Sequence, residues 1–499
     1  MRACCTIAVL GLLCVATAPR AQAQGGATLS SRGVSATAPR RAVTDHEITV
    51  GGRHVQYTAT VADDIIDGAD GKPGAAVVTI AYTRDGIQNA TQRPVMFLFN
   101  GGPGASSSPL HMSALGPVRR TARGAGDRSS ANFGENPDSP IADFDLVFID
   151  PVSTGFSRAL PGVDPKQWYD GRRDAIAVGQ VIADWLQLHH RGSSPRFLTG
   201  ESYGTTRVGL ILKYCPQLRF DGLILVSGGG REDSGPNAVY VASIASMAAG
   251  AYFHDKIDRR GRTVQEVVDQ ARNFARTRYA AALARGKSLP APERHRIAEE
   301  LAAYIGLPAA LIEAHRLRIS LNIYMFNLLK DQGLRTGLLD VRATSALVTN
   351  AAGAIDDPAL GVVKPQAHTS AKPTAAALGA VASPAVGQYL RDLLRFPSGD
   401  PYIGVNFSAN VAWKYDHGAD TASLIAARLR QDARVRLLAV SGFYDLAGGD
   451  DEWGFVHAGV PAGRLTFLQF AAGHEVYGDD ANRARFANAL RKFVLQQRN

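Results

Sequence analysis

Short apolar runs, bounded by glycine, proline or polar residues, recur along most of this chain. Alternating apolar and polar runs between residues 46 and 83 predict antiparallel strands at the edge of a sheet. The later runs are almost continuously apolar, which is typical of strands that are buried on both faces of a parallel sheet. These later runs cover residues 95–99, 146–149, 197–198, 223–226, 435–440 and 465–470.

Helical patterns at 172–188 and 205–214 separate some of these strands and indicate an α/β architecture. From about 235 to 332 the chain is instead dominated by Ala, Arg, Leu and Glu with helical spacing. We therefore predict a central, mostly parallel sheet flanked by helices, with an inserted, mainly helical cap. The predicted division is 1–23 leader, 24–44 flexible segment, 45–230 first part of the core, 231–395 cap and connector, and 396–499 second part of the core.

The first residues have the pattern of a cleavable secretory signal peptide. A positive start, Met1-Arg2, precedes an apolar run that is short for a membrane span, and Ala21-Gln22-Ala23 offers a small-x-small cleavage site. We predict cleavage after Ala23 and a secreted or periplasmic protein, with an uncleaved anchor as the alternative. No later segment is long and apolar enough to span a bilayer, so no integral membrane span is expected after the leader is removed.

Cysteine usage and charge indicate neither a disulfide-stabilised fold nor a nucleic-acid-binding protein. Three of the four cysteines fall in the leader, so Cys215 is left without an internal disulfide partner and is expected to be a buried, inert thiol. The net charge of +9 falls to +7 when Arg2 and Arg20 leave with the leader. The remaining basic residues are scattered rather than interleaved with aromatic residues along a stripe, so no nucleic-acid partner is expected.

A G-E-S-Y-G sequence at residues 200–204 is the most informative motif of the chain. An apolar pair precedes it and a helical pattern follows it, so Ser202 is predicted to lie in a sharp turn between a strand and a helix. That context is the nucleophile elbow of the α/β hydrolases. A serine hydroxyl is a poor nucleophile at neutral pH, so Ser202 needs a base and a site that stabilises the oxyanion.

The chain offers an acid and a base in the order that this architecture uses, which is Ser, then Asp, then His. Asp445 and His474 each follow a predicted buried strand, and open α/β sheets place their sites at such carboxyl ends. We predict that His474 is the general base and that Asp445 orients it. Asp450 and Asp451 are nearby competitors for the orienting role.

An oxyanion site needs two N–H donors close to the serine. The N–H of Tyr203, directly after the nucleophile, is the first, and an N-G-G-P-G loop at 100–104 supplies the second, which we assign to Gly102. The histidines lack metal-ligand spacing such as H-E-x-x-H. We therefore expect neither a metal nor another cofactor.

These motifs resemble the serine carboxypeptidases, a peptidase family with the α/β-hydrolase fold. The similar segments lie at 100–107, 115–117, 148–157, 200–204, 337–342 and 473–474, within a resemblance that spans about 45–495. The resemblance implies an enzyme that removes C-terminal residues from peptides through an acyl-enzyme. With Cys215 alone outside the leader, the disulfides that are common in the family are impossible here, so we expect a bacterial-type member without disulfides. The resemblance also implies that Asn100, Gly101 and Glu201 bind the free C-terminal carboxylate of the substrate. Because two carboxylates repel at contact distance, Glu201 must be protonated, which implies an acidic optimum.

The chain departs from the family at three positions. Ala114 stands where a glutamate usually pairs with the one beside the nucleophile, Leu98 replaces a tryptophan, and no glutamine separates Asp150 from Pro151. The departures keep two alternatives open, namely an esterase or acyltransferase with the same triad and a catalytically silent binding protein. The preferred side chain at the cleaved position and the oligomeric state are not indicated by the sequence.

Overall fold

The computed structural model of the protein describes residues 39–121, 133–230, 235–347, 379–416, 420–449 and 451–495. Its strands are β1 Arg41–Val50, β2 Arg53–Asp67, β3 Pro73–Arg84, β4 Val95–Phe99, β5 Val118–Arg120, β6 Phe133–Glu135, β7 Asp145–Asp150, β8 Arg158–Ala159, β9 Arg196–Glu201, β10 Gly222–Val226, β11 Leu334–Thr336, β12 Thr344–Ala346, β13 Ala380–Ala382, β14 Ile403–Asn406, β15 Arg436–Gly442 and β16 Leu465–Phe470.

The α-helices of the described ranges are α1 Gly171–Leu188, α2 Tyr203–Tyr214, α3 Ala238–Phe253, α4 Val264–Phe274, α5 Ala280–Arg285, α6 Ala291–Ile305, α7 Ala309–Ala314, α8 Leu321–Asn327, α9 Pro384–Asp392, α10 Phe407–Val411, α11 Thr421–Gln431, α12 Asp451–His457 and α13 Asp480–Leu495. Short 3₁₀ turns lie at Ala90–Gln92, Pro140–Ala142, Pro165–Trp168, Gly286–Ser288, Lys330–Gln332 and Ala462–Arg464, and π-helical turns at Leu110–Leu115 and Ala275–Tyr279.

One large sheet organises the molecule, in the order β1-β2-β3-β7-β4-β9-β10-β15-β16, with β8 paired to β3. Its first strands are antiparallel, up to the pairing of β3 with β7. From β7 to β16 every pair is parallel. The predicted fold class is therefore confirmed: the central sheet is mostly parallel, and helices flank it. The antiparallel edge also forms where the alternating runs predict it.

Each face of the sheet carries its own apolar core. Along β4, Met96 and Leu98 pack into one cluster, whereas Phe97 and Phe99 pack into the other. Because successive side chains of a strand point to opposite faces, a strand covered on both sides must be apolar throughout. The second cluster includes Cys215, and burial raises the pKa of this thiol to about 11.

Helices α3 to α8 follow β10 and precede β15, and they enclose a third cluster. That cluster also contains Phe443, Tyr444 and Leu446, which follow β15. The core of the inserted segment is therefore continuous with one of the loops at the carboxyl edge of the sheet.

The structure differs from the predicted division at two places. Strand β1 begins at Arg41, inside the segment 24–44 that was expected to be flexible. Helix α9 lies inside the predicted cap at 231–395, yet Val386 and Leu390 of this helix pack into a cluster of the sheet. The predicted leader lies outside the described residues, and the other boundaries stay predictions. In the described ranges, no helix has the length and apolarity that a membrane crossing requires.

A buried ion triad fixes the amino ends of β4 and β7. Asp145 accepts from Arg93 Nε through Oδ1 and from Arg191 Nη1 through Oδ2, both at 2.6 Å. All three side chains are at most 7% exposed. Two cations so far from water depend on the single carboxylate between them.

Replacing Asp145 with alanine should lower the free energy of unfolding by about 3–5 kcal/mol, because two buried guanidinium groups lose their counter-ion. Urea unfolding followed by tryptophan fluorescence measures the change. Asp331→Ala is the control, because Asp331 is 67% exposed in its pair with Lys256 and should barely alter the unfolding midpoint. Equal effects of the two substitutions would contradict the assignment of the triad.

Candidate active site

Ser202 lies in the sharp turn between β9 and α2. Its backbone angles are φ 58° and ψ −128°, and residues other than glycine rarely adopt a positive φ of this kind. The Ser202 N–H donates to Val226 O of β10 at 3.0 Å, which ties the turn to the neighbouring strand. This geometry is the strained strand-to-helix turn of a nucleophile elbow.

Asp445 and His474 meet beyond the ends of β15 and β16. His474 Nδ1 and Asp445 Oδ2 are 2.7 Å apart, and Asp445 is 1% exposed. With Nδ1–H donating to the carboxylate, Nε2 is left as the acceptor that a general base requires. The competitor Asp451 instead accepts from the Gly230 N–H at 3.2 Å, and Asp450 lies outside the described residues.

The charge of His474 depends on the carboxyl groups around it. Burial lowers its pKa, but Asp445 and then Glu201 outweigh burial, so the pKa is raised to about 9. Part of this rise comes from the negative charge of Glu201. Protonation of Glu201 therefore lowers the pKa of His474 and favours the neutral imidazole that accepts a proton.

The turn that carries Ser202 and the loop that carries His474 both contact the carboxyl end of β10. Ser227, directly after β10, donates from its hydroxyl to His474 O at 2.5 Å, while Ser202 is bonded to the last residue of the same strand. Among the described residues, no hydrogen bond joins Ser202 Oγ to His474 Nε2. Catalytic hydrogen bonds are often long in free enzymes and shorten when substrate binds.

The loop at 100–104 lies directly against the elbow. A side chain at Gly101 would collide with the Tyr203 backbone nitrogen, so only glycine permits this approach. In the described part of the chain, the N–H groups of Gly102 and Tyr203 donate to no other group. N–H groups that donate to no other group, one at the elbow and one in the loop against it, have the chemistry that an oxyanion hole requires.

A buried arginine holds this loop in place. Arg207 Nη1 donates to Asn100 O at 2.6 Å, and Arg207 Nε pairs with Asp174 at 2.7 Å. Arg207 and Asp174 belong to α2 and α1, so the loop is fixed to both helices that flank the elbow.

Glu201, next to the nucleophile, is buried and has an unexpected partner. The Tyr477 hydroxyl donates to Glu201 Oε2 at 2.6 Å. Burial raises the pKa of Glu201 to about 8, against the opposing effects of His474, Tyr477 and Asn100. Glu201 is therefore protonated at acidic and neutral pH, as a contact with a substrate carboxylate requires.

Sequence reasoning missed Tyr477. The signal was the absence of a glutamate at Ala114, which implied that Glu201 needs another partner. In the structure Ala114 is buried in the π-helical turn, and its carbonyl accepts from Asn136 Nδ2 at 2.9 Å.

The segment 338–342, which connects the inserted helices to the site, binds both the acid loop and the base loop. Leu338 O accepts from the Leu446 N–H at 3.0 Å, and the Val341 N–H donates to Tyr444 O at 2.9 Å. Leu339 O accepts from the His474 N–H at 2.7 Å. We call this segment the bridging segment. It gives the family-like segment at 337–342 a physical role, which is to hold Asp445 and His474 in one arrangement.

In the described ranges, no group of three or more His, Cys, Asp or Glu side chains is placed to hold a metal ion. The chemistry that the arrangement can perform is attack by an activated serine on an acyl carbon.

The sheet and the elbow define an α/β hydrolase. Residues 82–215, which carry the loop and the elbow, match the family profile of the serine carboxypeptidases. Over this segment, the match confirms the resemblance to that family which the sequence predicts.

Several solved structures are similar to this chain at low sequence identity. No curated protein matches the chain significantly. A prohormone-processing carboxypeptidase from Saccharomyces cerevisiae is similar at 15% identity, with 92% of each chain covered and a TM-score of 0.48. A thermophilic esterase from Thermogutta terrifontis is similar at 12% identity, with 91% of this chain and 100% of that chain covered and a TM-score of 0.34. A carboxyl esterase from Bacillus coagulans is similar at 12% identity, with 91% and 98% covered and a TM-score of 0.35.

Gly473→Ala should reduce kcat at least about tenfold, because the loss of exact positioning near the reacting groups is costly. The added Cβ would lie 2.6 Å from Leu339 O and would push the His474 loop away from the bridging segment. Gly463→Ala is the control, since a Cβ there meets no atom within 4 Å. Initial rates on an aryl ester and the thermal midpoint are measured for both variants. Unchanged kcat in Gly473→Ala would contradict the role of the bridging segment.

Proposed function

We propose that this protein is an exported serine carboxypeptidase that removes C-terminal residues from peptides. Ser202 Oγ attacks the scissile carbonyl carbon while His474 Nε2 takes its proton, and Asp445 stabilises the resulting imidazolium. The N–H groups of Gly102 and Tyr203 bind the oxyanion. His474 then gives the proton to the leaving amine, which departs with the C–N bond electrons. In the second half of the reaction, water attacks the acyl-enzyme while His474 takes its proton. His474 then returns that proton to Ser202 Oγ as the C–O bond breaks.

The observation that carries the proposal is the buried Glu201 beside the nucleophile. A general esterase needs no protonated carboxyl group at this place. A carboxypeptidase needs one, because it must bind an anionic terminus without repulsion. Asn100 and Gly101 start the loop beside Glu201, and we assign both to the same terminal carboxylate.

The rival function is an esterase or acyltransferase that uses the same triad. It is favoured by the apolar Ala114 at the position where a carboxyl group was expected. A blocked dipeptide, its C-terminal amide and an aryl ester discriminate the two functions. A carboxypeptidase should prefer the free carboxylate over the amide, whereas an esterase should cleave the aryl ester and show no such preference.

Ser202→Ala should lower kcat by about 10⁶-fold, because the whole relay acts through this hydroxyl. Labelling by a fluorophosphonate probe should be lost as well, since the probe reacts with an activated serine. Ser193→Ala, at an exposed serine before β9, is the matched control and should keep both signals. Full peptidase activity in Ser202→Ala would contradict the assignment of Ser202 as the nucleophile. A wild-type protein that the probe does not label would favour the alternative of a catalytically silent binding protein.

The KM for a dipeptide with a free carboxylate should be low below about pH 8 and rise above it. The pKa of Glu201 is raised to about 8, so its proton is present on the acidic side and is lost as the pH increases. Glu201→Gln keeps a neutral donor and should make KM independent of pH over the same range. Steady-state kinetics from pH 5 to 9 provide the test. A KM that falls with increasing pH in the wild type would contradict the proposed recognition.

A further inference from the structure

The triad mechanism gives no role to Tyr477, although its hydroxyl reaches Glu201. The donor and the acceptor are 2.6 Å apart, and Tyr477 is 1% exposed. Its ring stacks on Phe486 of α13, with centroids 6.2 Å apart and planes at 28°. Because this packing fixes the ring, the hydroxyl has a single position, and the orientation of the Glu201 carboxyl is fixed with it.

The hydrogen bond from the Tyr477 hydroxyl also determines which oxygen carries the proton when Glu201 is protonated. Burial, followed by the charge of Glu201, raises the pKa of Tyr477 well above its ordinary value, so this phenol stays protonated and donates. Glu201 accepts that bond on Oε2, and a protonated Glu201 therefore holds its own proton on Oε1. This is the proton that can be donated to a bound anion.

The groups that face Glu201 determine the pH at which this proton is lost. They are His474, Glu475 and Tyr477 from the loop after β16, and Asn100 from the loop after β4. Burial and Glu475 favour the neutral carboxyl, whereas His474, Tyr477 and Asn100 favour the carboxylate. The bond from Tyr477 therefore limits how far the pKa of Glu201 rises.

We propose that Tyr477 is a positioning residue for the recognition of the substrate's terminal carboxylate. It directs the Oε1 proton of Glu201 to that carboxylate and sets the pH above which recognition is lost. The inference rests on the proposed carboxypeptidase function. Because the donor is a phenol that stays protonated, and not a second carboxyl group, Glu201 does not share its proton with this partner.

The first test follows the Glu201 carboxyl group directly in the free protein. Infrared difference spectra between acidic and alkaline pH contain a protonated-carboxyl band, which the Glu201→Gln variant identifies. In Tyr477→Phe this band should move to higher frequency, because Oε2 loses a hydrogen bond, and its titration midpoint should move to higher pH. Tyr279→Phe removes a similar buried hydroxyl, which is bonded to Leu317 O at 2.6 Å, and should change neither quantity.

The second test separates carboxylate recognition from acyl transfer. In Tyr477→Phe, KM for the free-carboxylate dipeptide at pH 6 should increase about tenfold, the effect of one bond made to a charged or proton-donating group. The pH above which KM rises should also shift upward. For the aryl ester, kcat/KM should stay within about twofold, because the triad is intact.

The outcomes are distinguishable. An unchanged carboxyl band and midpoint in Tyr477→Phe would overturn the inference, whatever the peptidase assays show. Equal losses on the dipeptide and the ester, without a shift in pH dependence, would also overturn it, because they would indicate only a packing role. A wild-type protein that does not prefer the free carboxylate over the amide would overturn the proposed function instead.

Discussion

The parallel alignment of β9, β10, β15 and β16 is the constraint on which the rest of the site depends. In this register Glu201 lies opposite Val226, Val226 opposite Val440, and Gly442 opposite Phe470. The residues that follow these strands are therefore brought to one edge of the sheet. A slip by one residue would turn every side chain of a strand to the opposite face. Apolar side chains on both faces prevent such a slip, so the hydrophobic core determines the chemistry of the edge.

The inserted helices contribute to the same edge through the bridging segment. Its backbone binds the loop of Asp445 and the loop of His474, and the apolar cluster of the insertion includes residues that follow β15. Backbone hydrogen bonds of this kind fix position without adding a charged group. The insertion thus supports the two loops that carry Asp445 and His474, and an insertion that moved independently of the core would not keep these contacts.

The sequence was most informative where a single physical requirement, such as burial on both faces of the sheet, determines the residue type at every position. Strands such as 95–99 and 223–226 were predicted within a residue or two because burial on both faces demands an apolar run. Ser202, Asp445 and His474 were predicted as a triad because each follows such a run, and in the structure each of them lies after a strand. Tyr477 could not be predicted, because its bond to Glu201 depends on the path of a loop. The bridging segment and the packing of α9 likewise arise from backbone contacts that leave little trace in residue type.

The central claim is that Ser202, His474 and Asp445 act as one relay at this edge. A crystal structure of the protein after reaction with a phosphonate inhibitor tests the claim most directly. The account predicts phosphorus bonded to Ser202 Oγ and a phosphoryl oxygen within hydrogen-bond distance of the Gly102 and Tyr203 N–H groups. It also predicts His474 Nε2 close to the adduct, with its bond to Asp445 retained. An adduct on another residue, or an imidazole of His474 far from the bound phosphonate, would contradict the account.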